Sequence, residues 1–190
     1  MKPLRALVAA AAILLPAGLL IACSSKETKT TSGGAKFRFQ SVAATISSGK
    51  CLDPTADVTI ATIAEDGTAK LIPDGSDGSN VSCTYDDKNW SITVQGNRGD
   101  AITGFGTFSG GGNTSTDASM QFITHNTAYK TPADQRCTVT FLKKADNALL
   151  GRVNCPEVVY DITSSACAVT ALDKDGFTPY AYFQFSDCNP

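Results

Sequence analysis

Val81-Ser82-Cys83-Thr84-Tyr85-Asp86-Asp87-Lys88-Asn89-Trp90-Ser91-Ile92-Thr93-Val94-Gln95 decides the class of the fold. Apolar residues take every second position on both arms, and Ser, Thr or Gln take the positions between. This is the two-residue period of a strand with one buried face, not the 3.6-residue period of a helix. Residues 86–89 are polar and read as the turn. A four-residue loop sets Tyr85 opposite Trp90, Cys83 opposite Ile92 and Val81 opposite Val94, so that all six share one face. Trp90 is then a core residue. The competing reading is an exposed aromatic platform for a sugar.

The same signature spreads outward from this hairpin. Short runs of Val, Ile, Thr, Phe and Tyr alternate with Gly, Asp and Asn clusters, and no apolar helical stripe follows residue 36. Strands are expected from Phe37 onward, at 58–63, 69–72, 101–108 and 118–124, and at 167–172 and 180–185. Asp66-Gly67 and Asp175-Gly176 supply turn chemistry. Gly104 and Gly106 weaken or bend their strand. A second strong hairpin runs from Cys137 to Cys155: Cys137, Val139 and Phe141 face inward, the turn lies near Asp146-Asn147, and Gly151, Val153 and Cys155 return on the inner face. Residues 125–132 read as a loop. The sum is an all-β chain, best arranged as a single disulfide-stapled β-sandwich or flattened barrel.

The cysteines fit that picture. Seven occur, at Cys23, Cys51, Cys83, Cys137, Cys155, Cys167 and Cys188. None of the last six has a close Cys or His companion, so zinc is disfavoured and three disulfides are expected. A hairpin turn centred on Asp146 brings Cys137 directly opposite Cys155. Pairing Cys167 with Cys188 then leaves Cys51 with Cys83, but six cysteines allow fifteen connectivities and these two bridges stay open.

Upstream of the strands the chain changes character. A basic start (Lys2, Arg5) precedes an uncharged run over residues 6–22, ending in Leu20-Ile21-Ala22-Cys23. The run is short for a spanning helix and Pro16 interrupts it. This is the layout of a secretory signal, and its last four residues resemble the lipobox of bacterial lipoproteins. The resemblance implies cleavage of residues 1–22, attachment of a diacylglyceryl group to the Cys23 thiolate, a mature N-terminus carrying at least two acyl (palmitate-type) chains, and stable anchoring to a membrane. Ser24 in place of Asp points, by enteric-type sorting, to the outer membrane or cell surface of the envelope. Residues 23–36 then form the lipidated Cys and a polar, flexible tether, and residues 37–190 the β domain. Val81-Ser82-Cys83-Thr84, with Ile92-Thr93-Val94-Gln95-Gly96 after it, also resembles part of the small mycobacterial surface lipoprotein antigens. That resemblance spans some sixteen residues and implies a Cys83–Cys188 bridge and an envelope-surface role without catalysis. Four further domain cysteines and a longer N-terminal portion depart from it.

Charge and motifs bound the function. Cleavage after Ala22 removes Lys2 and Arg5, leaving fourteen basic against eighteen acidic residues and a formal charge of −4. A nucleic-acid partner, which requires a basic patch, is disfavoured, and so is electrostatic attachment to anionic lipid. His125, the single histidine, lies in a polar stretch and has no nucleophile motif near it. The glycine run at 110–112 lacks the Lys-Ser/Thr of a phosphate loop. Asp86, Asp87, Asp173 and Asp175 fall in turns, where Asp bonds its own backbone. Asp74, Asp77 and Asn80 offer oxygens to calcium without the pattern of a calcium-binding loop. The sequence therefore nominates no catalytic residue, metal or cofactor. The leading expectation is a lipid-anchored cell-envelope protein, not an enzyme, that acts by binding or structural association with an envelope partner. The alternatives are a carbohydrate or small-ligand module exposing Trp90, Tyr180 or Tyr182, and a carboxylate-dependent envelope hydrolase.

Overall fold

A computed structural model describes residues 29–41, 51, 57–63, 69–160, 165–169 and 181–189. Fourteen strands follow in chain order: β1 (Ser32–Ser41), β2 (Asp57–Ile60), β3 (Thr62–Ile63), β4 (Ala69–Lys70), β5 (Ile72–Pro73), β6 (Asn80–Tyr85), β7 (Asn89–Gln95), β8 (Ala101–Thr107), β9 (Thr114–Thr124), β10 (Thr127–Lys130), β11 (Cys137–Ala145), β12 (Ala148–Tyr160), β13 (Ser165–Val169) and β14 (Tyr182–Ser186). Two 3₁₀ turns, Ser76–Gly78 and Ser109–Gly111, are the only helical elements among the described residues.

The strands form two antiparallel layers that share three long members. One layer runs β2–β1–β14–β12–β11–β9; the other runs β6–β7–β8–β9–β10–β12–β13–β1. The first halves of β1, β9 and β12 pair in the first layer and their second halves in the second. Sharing strands in this way makes a β-sandwich flattened from a barrel. β12 changes layer at a register shift between Cys155 and Val158. Pro156 sits inside that irregularity, where its missing N–H costs no ladder bond.

The β6–β7 hairpin has the register expected from its alternation: Tyr85 faces Trp90, Cys83 faces Ile92 and Val81 faces Val94. The Asp86 carboxylate organises the turn by accepting the N–H groups of Lys88 and Asn89, both at 2.6 Å. The outer edge of β6 is covered. Asn189 N–H donates to Cys83 O at 2.9 Å, Tyr85 N–H donates to Asn189 O at 3.2 Å, and Asp74 Oδ1 accepts Val81 N–H at 2.7 Å. An edge that would invite another strand is thereby closed.

The second hairpin reaches the expected pairing by an unexpected route. Its turn has two residues, Asp146 and Asn147, both at positive φ. Alone, that turn would set Cys137 opposite Pro156. A register shift between Phe141 and Lys143 leaves Leu142 as the extra residue and restores Thr138 opposite Asn154. Cys137 and Cys155 then bond. The bulge also turns Leu142 outward, 41 % exposed.

The other two disulfides differ from the open assignment. Cys51 joins Cys167, not Cys83, and Cys83 joins Cys188. Sequence proximity misled here, because closure of the sandwich brings the chain's last residues onto β6. The Cys83–Cys188 pair is the one implied by the antigen resemblance.

The domain boundary also moves. The tether was expected to last to Lys36, yet β1 begins at Ser32. Gly33 and Gly34 are buried, and a Cβ on Gly33 would lie 2.7 Å from the Phe185 ring. These glycines are packing positions whose missing side chains admit Phe185 and Ile63. Lys29 and Thr31 are pinned as well, through an ion pair of Lys29 with Asp187 and hydrogen bonds of Thr31 to Asp74 and Asp187.

Between the layers lie two connected aromatic groups. Phe37, Phe39, Phe122 and Tyr129 meet with centroids 4.5–6.4 Å apart. Trp90, Phe108, Phe141, Phe183 and Phe185 form the other. Residues 125–132, read as a loop, instead contain β10. His125 and Asn126 both take positive φ and make the two-residue turn that joins it to β9. That conformation favours Gly or Asn, so a His in the first place hid the hairpin.

Candidate binding site

Of the aromatic residues that the alternative reading offers to a ligand, the two among the described residues, Trp90 and Tyr182, are not at the surface. Trp90 is 2 % exposed and Tyr182 is 5 % exposed. Trp90 packs against Phe141 and Phe183, and its Nε1 has no hydrogen-bond partner among the described residues. Tyr182 donates its hydroxyl to Ile63 O at 3.0 Å. Tyr180 lies outside the described residues, as do Cys23, Asp173 and Asp175.

The nominated polar groups serve local structure. His125 is a turn residue. Asp74 holds Val81 N–H, and Ser79 Oγ bonds Pro73 O at 2.8 Å. The N–H groups of Asn89 and Lys88 hold the Asp86 carboxyl below the usual carboxylate range. At Asp117, burial works to raise the pKa, but donors from Thr107 and Ser115 outweigh it and the net shift is downward. At Asp57, the Arg38 guanidinium bond dominates and lowers the carboxyl. Carboxylates held ionised by fixed donors suit turns and strand ends; a general acid requires the opposite shift.

Two concavities stand out. One, of about 310 Å³, lies beside β3–β5 and is lined by Ala61, Leu71, Ile72, Pro73, Asp77 and Asn97 among others. The second, of about 350 Å³, is a cradle on the outer face of β7–β10. Strand register builds it rung by rung. Ser91, Phe105 and Ser119 lie side by side across β7, β8 and β9; Thr93, Thr103, Gln121 and Lys130 form the next rung, across β7 to β10.

Phe105 is the feature that the sequence reading missed. It is 63 % exposed, in a strand whose Ala101, Ile102 and Gly104 are buried. The inward positions of β8 are Ile102, Gly104 and Gly106. A Cβ on Gly106 would meet Ser115 Oγ at 2.6 Å and the Trp90 ring at 3.1 Å, and one on Gly104 would meet Met120 and Trp90. The glycines admit Trp90 and Met120 to the core, and the alternation sends Phe105 to solvent. The signal was present: two glycines in phase with Ile102 leave Phe105 out of phase.

The side chains of Ser91, Thr93, Thr103, Ser119 and Gln121 make no hydrogen bond to any described residue, whereas Thr131 at the rim is engaged with Met120 at 2.9 Å. The cradle therefore offers an apolar ring surrounded by hydroxyl and amide groups free to bond a ligand. Among the described residues it holds no carboxylate.

Comparison with protein-family models, curated proteins and solved structures finds no match.

Proposed function

We propose that the chain is a bacterial cell-envelope lipoprotein, anchored to a membrane through lipid on Cys23, whose β domain acts by binding. The carrying observation is Leu20-Ile21-Ala22-Cys23 at the end of an uncharged run. The cysteine pattern supports it: the six downstream cysteines pair among themselves, leaving Cys23 outside the staples. The position of β1, which begins at Ser32, refines it. Six residue steps separate Cys23 from Lys29, so the lead spans at most about 21 Å when fully extended. The domain is then held nearer to the bilayer than a tether ending at Lys36 would hold it. No helix among the described residues is long and apolar enough to cross a membrane.

Mass spectrometry of the mature N-terminus tests the reading. Acylated Cys23 is expected, with release of the Cys23→Ala protein from the membrane fraction. An unmodified Cys23 in a soluble product overturns it. Cross-linking in intact cells then shows whether an envelope protein co-purifies in near-stoichiometric amount, the result expected of structural association.

A further inference from the structure

We infer that the cradle around Phe105 is a binding site for a neutral sugar ring of a glycan. This deepens the proposed function and rests on its reading of the domain as a binding module.

The cradle's chemistry is that of a pyranose in complement. A sugar ring has one or two faces of C–H bonds and a rim of hydroxyls. The face of an aromatic ring is electron-rich and attracts such weakly positive C–H groups. Phe105 provides that ring at the centre of β8. The hydroxyl rim needs partners that both donate and accept, which Ser, Thr and Gln do and charged groups do not. Ser91 and Ser119 flank Phe105 on its own rung; Thr93, Thr103 and Gln121 lie on the next. All five have bonding capacity unspent on the described residues. A volume of about 350 Å³ falls in the range of small-ligand sites and suits one or two rings.

Charge selects among ligands. Among the described residues, the lining has one charged side chain, Lys130, and no carboxylate. The mature chain carries a formal −4, so a polyanion is repelled at long range. A purely apolar ligand would leave five polar side chains without water or partner, which costs free energy. The short lead from Cys23 adds location: the cradle stays at the envelope, where the exposed polymers are built of sugar rings.

The test uses the mature acylated protein in phosphatidylcholine nanodiscs. The probes are a panel of neutral gluco-, manno- and galacto-oligosaccharides, together with uronic-acid-containing counterparts. Saturation-transfer and amide-shift NMR give the contacts. A neutral oligosaccharide should perturb Ser91, Thr103, Phe105 and Gln121 first. Phe105→Ala should weaken it about tenfold, Phe105→Trp should stay within a fewfold of wild type, and both should melt as the parent does. No binding across the panel, equal binding to Phe105→Ala, or preference for the acidic counterparts overturns the inference. None of these outcomes touches the acylation of Cys23, which stands or falls by mass spectrometry.

Discussion

The two faces of the β7–β8–β9 sheet each carry an aromatic ring, and to opposite ends. On the inner face Trp90, Ile92, Ile102, Met120 and Phe122 are buried, with glycines interleaved so that the largest ring fits. On the outer face Phe105 stands among Ser, Thr and Gln. Trp90, which only the competing reading offers to a ligand, is the core residue that its alternation predicts, and Phe105, passed over, is exposed. An aromatic side chain in a strand has no intrinsic address. Its parity relative to the neighbouring strands assigns it, and a pair of in-phase glycines can mark the inner face as well as a pair of leucines.

That contrast can be broken, with the largest effect at its inner face. Trp90→Ala should cost about 3–5 kcal/mol, read as a lowered denaturant midpoint, because it opens a cavity between Phe141 and Phe183. Iodide should leave native Trp90 fluorescence unquenched; ready quenching would put the ring in solvent and reverse the assignment of the two faces.

Removing the seam is the next largest. The Cys83–Cys188 bridge encloses a loop with a separation of 105 residues, and the Cys83→Ala/Cys188→Ala protein should lose about 2–5 kcal/mol. The same variant frees the β6 edge from its staple, so amide exchange should accelerate at Tyr85 before it does at Ile92. Uniform acceleration would mean that the closure is not local.

Smaller changes sharpen the boundary. Gly33→Ala should cost about 1–3 kcal/mol by overpacking against Phe185 and Val81. A substitution in a solvated tether would cost nothing measurable, so a neutral result would return residues 32–36 to the tether.

Acid should reveal the carboxylates held by fixed donors. Asp57, Asp86 and Asp117 are all held below the ordinary Asp value, so each contributes stability that is fully present above that value. Protonation on the folded side removes it as pH falls through the depressed folded values. The melting temperature should hold near neutrality and drop below about pH 4, with a shallower drop in Asp117→Asn. A drop centred well above pH 5 would point to other groups. The smallest effect is at the outer face: Phe105→Ala should change stability by less than about 0.5 kcal/mol, since the ring leaves no cavity.

Alternation of side chains, turn composition and the even set of cysteines made the all-β class, both strong hairpins and the Cys137–Cys155 bridge readable. These rest on neighbours within about twenty residues, where period and turn length fix geometry. The resemblance of residues 20–23 to a lipobox is equally local, and what it implies is a chemical address and not a fold. What lay beyond sequence reading involves distance along the chain. The bulge at Leu142 corrects a register that the turn alone sets wrongly. Gly33 and Gly34 read as linker because Phe185, which packs on Gly33, arrives some 150 residues later. Cys51 and Cys83 find partners at separations of 116 and 105 because β1, β13 and the end of the chain meet only when the sandwich closes. The cradle is likewise tertiary: its rungs draw single residues from four strands, and only the register places Ser91, Phe105 and Ser119 in one row. Local periodicity determined which residues form strands; the closing of those strands on one another decided which faces meet and which are left exposed.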